Sequence, residues 1–395
     1  MIELLQILSI FIHLQVSNPC AYDKDGSLNE RCMLEELSSE KYFGRGYVNN
    51  GRNKAALLIK SEFKTAGLKP FFEDGFFQEF PQTVNVFEKA PELVCDGNEL
   101  ELGVDFIVHP ASGSGAFEND KIVFVDKVQR TELSKDKKLN AFLFQTCNQG
   151  NAIVLEQEKL TWSVSDFAFP NPIIETTKNC SEWKLEVSNE LKETSSKNVV
   201  GYVPAQIKTD SSLFITAHYD HLGGMGKDVF IPGANDNAAG TVMLMDLARY
   251  YAKNPHEKYN LVFVAFAGEE AGLLGSKYFS EQYKSLNKIK FLFNLDLVGT
   301  GEKGATVVNA TEYPEQFKIL TGINNSKNYL PKIKARGSAA NSDHFWFHQK
   351  GVPSFFLYTM GGPSAYHDVN DKAETLPLSH YQEVMNLVIN FYLSL

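Results

Sequence analysis

From Val199 onward the chain repeats one pattern: a short apolar, β-rich run, then a polar cluster, then a helix or loop. Leu213–Ala217, Leu261–Phe266 and Phe291–Leu295 are such runs, and the helical stretches Ala238–Tyr251 and Leu273–Tyr283 stand between them. Strands without polar alternation are buried on both faces, which is characteristic of parallel sheets covered by helices. The pattern therefore predicts an α/β fold with a mostly parallel central sheet flanked by helices.

Two other regions read differently. Cys32 to about Val84 suggests a helix, a loop punctuated by glycine (Phe43-Gly44-Arg45-Gly46) and a second helix over Asn53–Ala66. That second helix places Ala56, Leu57, Ile59, Phe63 and Ala66 on one side, and Gly67 stands where a helix-ending glycine belongs. Between about Asn85 and Glu190 the text breaks into short runs, among them Lys121–Val125, Ala141–Phe144 and Ala152–Leu155, separated by turn-forming residues. These predict a β-rich inserted module. The expected organisation is one domain built from residues 30–84 and 191–395, a module over 85–190, and a possible signal peptide over 1–19.

Composition narrows the function. A chain of 395 residues with 43% hydrophobic and 22% charged residues has the make-up of a soluble globular protein. A net charge of -10 argues against nucleic acid or an anionic membrane as partner, because both require a basic face. Leu4–Val16 is apolar over the length of a secretory h-region and too short to span a bilayer. Secretion or periplasmic export is the expectation, with no integral membrane segment in the mature protein. The five cysteines (Cys20, Cys32, Cys95, Cys147, Cys180) contain no CxxC pair, which leaves room for one or two disulfides and at least one free thiol.

Polar clusters fall at the C-terminal ends of the apolar runs, the edge at which open α/β sheets bind ligands. In order they are His218-Tyr219-Asp220, Gly233 to Gly240 with Asp236 inside it, Gly268-Glu269-Glu270, Asn294-Leu295-Asp296 and Tyr366-His367-Asp368. Imidazole and carboxylate are zinc-type ligands, and a period of two lets His218 and Asp220 point the same way. His221 falls off that face and reads as structural.

The stretches ITAHYDHLG, GANDNAAGT, FAGEEAGLLGS, NLDLVG, SDHFWF and YHDVND, from Ile215 to Leu376, resemble in order the patterns of the M28 family of zinc peptidases. LSSEKYFGRG and KSEFKTAGLKP resemble the family's N-terminal helices, and the middle module stands where the family often carries a protease-associated-type insertion. The resemblance implies a metallo-exopeptidase acting on peptide substrates, an aminopeptidase above all. It implies two Zn²⁺ ions, Co²⁺ or Mn²⁺ being able to occupy such ligands. By motif, His218, Asp236 and Asp296 would hold one ion, and Asp236, Glu270 and His367 the other. Glu269 matches the general base, Asp220 the acid that orients His218, and Tyr366 a residue that steadies an oxyanion. Alternatives are a glutaminyl cyclase-like transferase and a receptor-like ectodomain without chemistry. Asp343 and His344 read either as residues lining the site or as a helix start with Asp343 as cap. Arg336 reads as a solvated arginine, and Asp371 as a residue that orients its neighbours near His367.

Overall fold

The computed structural model describes Cys20 and residues 29–395; the possible signal peptide lies outside the described residues. A nine-stranded sheet forms the centre. Its strands are β1 (Lys69–Pro70), β2 (Phe77–Val86), β3 (Glu190–Val203), β4 (Ser212–His218), β5 (Asn260–Phe266), β6 (Ile289–Leu295), β7 (Ala305–Val308), β8 (Ile333–Ala335) and β9 (Ser354–Thr359). They lie in the order β1-β3-β5-β4-β6-β9-β7-β8, with β2 paired to β3. The middle four, β5-β4-β6-β9, are parallel, while β3 and β7 run antiparallel to their inner neighbours. Every residue of β4 is buried, as the unbroken apolar run requires.

Seven helices of the described residues matter here: α1 (Glu30–Leu37), α2 (Gly51–Ala66), α3 (Ala239–Lys253), α4 (Leu274–Gln282), α5 (Pro314–Lys327), α6 (His344–Gln349) and α7 (Tyr381–Leu393). Strand periodicity divides the core between them. Leu213, Ile215 and Ala217 of β4 join a cluster with α1, α2, α3 and α7, whereas Phe214 joins Phe279 of α4 and Phe347 of α6 on the opposite face. Leu244 and Leu247 of α3 are wholly buried in the larger cluster, and truncating either to alanine would cost about 2–5 kcal/mol. Helix α2 begins at Gly51, earlier than its apolar pattern suggests, because the chain turns there against Tyr42: a Cβ on Gly51 would sit 2.0 Å from the Tyr42 carbonyl oxygen. It ends as expected at Gly67, whose N–H reaches the carbonyls of Phe63 and Lys64.

Residues 87–189 leave the sheet at the end of β2 and return at the start of β3, where Glu190 pairs with Val86. They carry two further four-stranded sheets and the Cys95–Cys180 disulfide. They also hold two helices, Lys127–Lys135 and Leu139–Asn148. The run Ala141–Phe144, read above as strand-like, lies in the second of these. Four apolar residues fit either period, and here the helical spacing of buried Leu143 and Cys147 decides. A second disulfide joins Cys20 to Cys32, and Cys147 is a free, buried thiol. Among the described residues no helix is long and apolar enough to cross a membrane.

Candidate metal centre

Three parallel strands end at one point above the sheet. β4 ends on His218, β5 leads through Gly268 to Glu269 and Glu270, and β6 is followed at once by Asp296. His218 Nε2 lies 3.4 Å from Asp236 Oδ1 and 3.2 Å from Asp296 Oδ1. On the other side of Asp236, His367 Nε2 lies 3.1 Å from Asp236 Oδ2 and 3.2 Å from Glu270 Oε2. All five residues that the motifs single out as ligands thus converge, and Asp236 turns one oxygen toward each histidine.

The donor set fits two cations. His218 Nδ1 is 3.1 Å from the main-chain oxygen of Asp220, and His367 Nδ1 is 3.1 Å from the main-chain oxygen of Trp162. A carbonyl oxygen only accepts, so each Nδ1 carries the proton and a neutral ring turns the Nε2 lone pair toward the carboxylates. Acceptors facing acceptors in a buried site need positive charge between them. Zinc bonds of ~2.0–2.2 Å in tetrahedral array put neighbouring ligand atoms about 3.3–3.6 Å apart, close to the separations found. Without cations, burial works against charge on His367 but Glu270 and Asp236 outweigh it, raising its pKa to about 11. Burial likewise opposes charge on His218, and Asp296 leads the groups that nonetheless push its pKa well up.

Asp236 sits in the turn between Gly233 and α3. Gly233 has a left-handed φ of 58°, and a Cβ there would lie 2.3 Å from the His221 ring, so glycine is required. Asp371, expected to act near His367, accepts hydrogen bonds from the N–H groups of Asn235 and Asp236 and so holds the turn of Asp236. Asp296 Oδ2 accepts from the Ser342 hydroxyl at 2.9 Å, which leaves Oδ1 for the site.

Glu269 lies beside this cluster. Burial raises its pKa well above the carboxylate range; His218 opposes the shift, while Glu270 and Asp296 add to it. Its N–H donates to Asp220 Oδ1 at 3.2 Å. The Asp220 carboxylate is 4.0 Å from His218 Nδ1, so it is the residue's main chain that holds the imidazole. Tyr366 stacks on His367 with centroids 3.9 Å apart and faces a cleft of about 300 Å³ together with Leu297, Arg336, Asn341, Phe356 and Tyr358. Tyr366 is 45% exposed, yet desolvation of its phenol in the cleft, with Asp236 and Glu270 beside it, pushes its pKa up, so it stays protonated and able to donate. Asp343 makes no capping hydrogen bond to α6; it is wholly buried, and burial lifts its pKa to about 7. Arg336 is exposed at the cleft, its Nη1 3.3 Å from the Tyr358 hydroxyl.

Two residues hold the centre in ways the sequence reading missed. His221 is in it: its Nδ1 lies 2.6 Å from Glu270 Oε1. The chain has left β4 by then, so the alternation that assigned it elsewhere no longer applies. Arg45 is wholly buried and donates to the carbonyls of Leu37, Tyr219, Pro232, Gly233 and Asp236, using every donor of its guanidinium. The signal lay in its neighbours. A Cβ on Gly44 or Gly46 would collide with Gly223, and such close backbone approach marks a built contact.

Comparison with known proteins agrees with this geometry. The model of peptidase family M28 matches residues 198–392. Aminopeptidase YwaD of Bacillus subtilis is 31% identical over 207 residues, covering 49% of this chain and 43% of that protein. A probable leucine aminopeptidase of Trichophyton verrucosum is 30% identical over 218 residues, 49% of this chain and 54% of its own. The chain thus spans about half the length of the curated relatives it matches. The solved structure of BSAP, a zinc aminopeptidase from Bacillus subtilis, superposes with a TM-score of 0.68 at 21% identity, covering 92% of this chain and 93% of that one. An aminopeptidase from Aneurinibacillus sp. strain AM-1 does so with a TM-score of 0.66 at 19% identity and 92% of each chain. At such identities these two structures speak for a shared fold.

Proposed function

The chain belongs to peptidase family M28 through residues 198–392, and from that premise we propose that it is a zinc aminopeptidase with a two-ion centre. His218, Asp236 and Asp296 would hold one ion; Asp236, Glu270 and His367 would hold the other. The observation that carries this reading is the shared carboxylate: Asp236 divides its oxygens between two imidazoles, each of which also faces a second carboxylate. When bound, the ions supply Lewis acidity, easing deprotonation of a water and polarising the scissile carbonyl.

The protein's own groups do the rest. Glu269, which lines the cleft beside the proposed ligands, takes the proton of the attacking water and returns it to the leaving amine. The protonated phenol of Tyr366, over His367, donates to the oxygen that gains charge. The relatives named above are aminopeptidases, which supports an aminopeptidase over a carboxypeptidase. In this reading residues 30–84 and 191–395 form the catalytic domain and 85–190 an inserted module. The two disulfides support an oxidising, exported setting.

The test is release of p-nitroaniline from free-amine aminoacyl substrates, with N-blocked and N-terminal glutaminyl peptides alongside, before and after chelation. Chelator-sensitive release from free-amine substrates alone, with two zinc ions per chain, is the expected result. Cyclisation of the glutaminyl peptide, or a protein that binds no zinc, would overturn it.

A further inference from the structure

Four of the five proposed ligands are held by groups outside residues 87–189. Asp220 holds His218, Asp371 and Arg45 hold the turn of Asp236, Ser342 holds Asp296, and His221 holds Glu270. His367 differs. Its ring is held from residues 87–189, by a segment 205 positions away in the chain. His367 Nδ1–H donates to the Trp162 carbonyl at 3.1 Å, and the Trp162 N–H donates to the His367 carbonyl at 2.9 Å. Together the two bonds clip one loop to the other.

The clip is packed as well as bonded. Trp162 is buried in an apolar cluster that joins Phe87, Leu93 and Leu185 to Leu222, Met225 and Ile231, and Val369, two residues beyond His367, packs against the same cluster. Lys159 Nζ lies 3.4 Å from Asp368 Oδ2, although that lysine is largely exposed and adds little. His367 itself has a left-handed φ of 54°, a backbone state that a non-glycine residue holds only where its surroundings enforce it.

We propose that Trp162, through its main chain, is a positioning residue for the ion held by Glu270 and His367, so that the 87–189 segment is a built part of the metal centre. The Trp162 carbonyl selects the tautomer with the proton on Nδ1 and aims Nε2 at Asp236 and Glu270. The Trp162 N–H fixes the height of the loop that carries the ring. The ion held by His218 and Asp296 has no such dependence, so loosening the clip empties one position of the two. This inference rests on the reading of His367 as a ligand.

The full chain tests it with zinc itself, by counting ions per protein and titrating against a chelating dye. Wild type is expected to hold two ions, and His367→Ala one; a wild type with none would defeat the ligand reading. Given two, Trp162→Pro removes the clip's N–H, whereas Trp162→Phe keeps both main-chain groups. The expected result is a 10–100-fold weaker second ion in Trp162→Pro, with the first unchanged, and two tight ions in Trp162→Phe. Two tight ions in Trp162→Pro would overturn the proposal and leave the ligand reading intact. Should that variant fail to fold, NMR of zinc-loaded wild type with ¹⁵N-labelled histidine decides instead. A slowly exchanging proton on His367 Nδ1, identified by its absence from His367→Ala, supports the clip, and a bare Nδ1 rejects it.

Discussion

The two sides of the centre are built on different principles. His218 and Asp296 stand at the ends of adjacent parallel strands, and the His218 side chain is 1% exposed. Strand pairing sets their backbones side by side, and Asp220 and Ser342 then aim the two side chains. Glu270 and His367 stand on loops, the His367 side chain is 14% exposed, and their backbones are set by no strand, so His221 for one and Trp162 for the other must fix the side chain and help fix the loop. A strand end is a position that folding delivers anyway. A loop position has to be tied down by contacts that are spent on nothing else, and those contacts are where the site can be loosened without unfolding the protein.

The comparison breaks altogether at Asp236, the one residue common to both sides. Asp236→Ala should leave neither ion bound at micromolar zinc and no measurable hydrolysis, since each imidazole would then face a single carboxylate. Retention of even one tight ion would show that the sides are independent and that the carboxylate is not shared. Glu269→Gln is the next largest change and should spare both sides. It keeps shape and burial while removing the proton acceptor, so kcat should fall about 10²–10⁴-fold with zinc content still two per chain. A fall in zinc content would move Glu269 from base to ligand.

The supports sharpen the contrast. Ser342→Ala should weaken only the ion on the strand-end side, and His221→Ala only the ion on the loop side, by about 10–100-fold in each case. The larger loss is expected for His221→Ala, because Asp296 keeps its place at the end of β6 without Ser342, whereas Glu270 loses its nearest partner. Zinc titration of the two variants reads the difference; equal losses would remove the distinction between strand and loop.

Legibility in the sequence follows the same division. The apolar runs and the residues that end them could be read directly, because a buried strand announces its length and its C-terminal end is where ligands belong. Tyr366-His367-Asp368 reads as one more cluster at the end of an apolar run, but β9 stops at Thr359 and His367 stands on the loop beyond it, so its ligand role comes from the resemblance to a family pattern. Arg45 and Trp162 escape altogether, and His221 reads as structural without its tie to Glu270. Arg45 and Trp162 act on carbonyls and N–H groups, which every residue has, and across gaps of up to about two hundred residues. His221 lies just past the point where the alternation of a strand stops predicting direction. Ala141–Phe144 failed for a simpler reason, since four apolar residues do not distinguish a helix from a strand.

The smallest effect concerns the stability of the segment that holds His367. Glu175, in the strand Ile173–Thr176, is buried against His109, and burial raises its pKa to about 7, with Arg130 opposing. Burial lowers His109 to about 4, Arg130 acting in the same direction. A carboxyl with a raised folded-state pKa favours the fold fully below its unfolded value, near 4.5, and that contribution is lost as pH rises through 7. A histidine with a lowered one contributes above about 6.5 and loses its contribution as pH falls toward 4. The two slopes oppose each other between pH 4.5 and 6.5, and above that only Glu175 still titrates. Glu175→Gln should therefore stabilise the segment by about 1–3 kcal/mol at pH 8 and do little at pH 4.5, leaving the acid-side slope of His109 exposed. Hydrogen exchange of residues 152–176 at the two pH values reads this locally. A gain at pH 4.5 as large as that at pH 8 would mean that Glu175 is charged throughout. Through the Trp162 clip the same substitution should also slow loss of the loop-side ion at pH 8 and leave the strand-side ion unchanged.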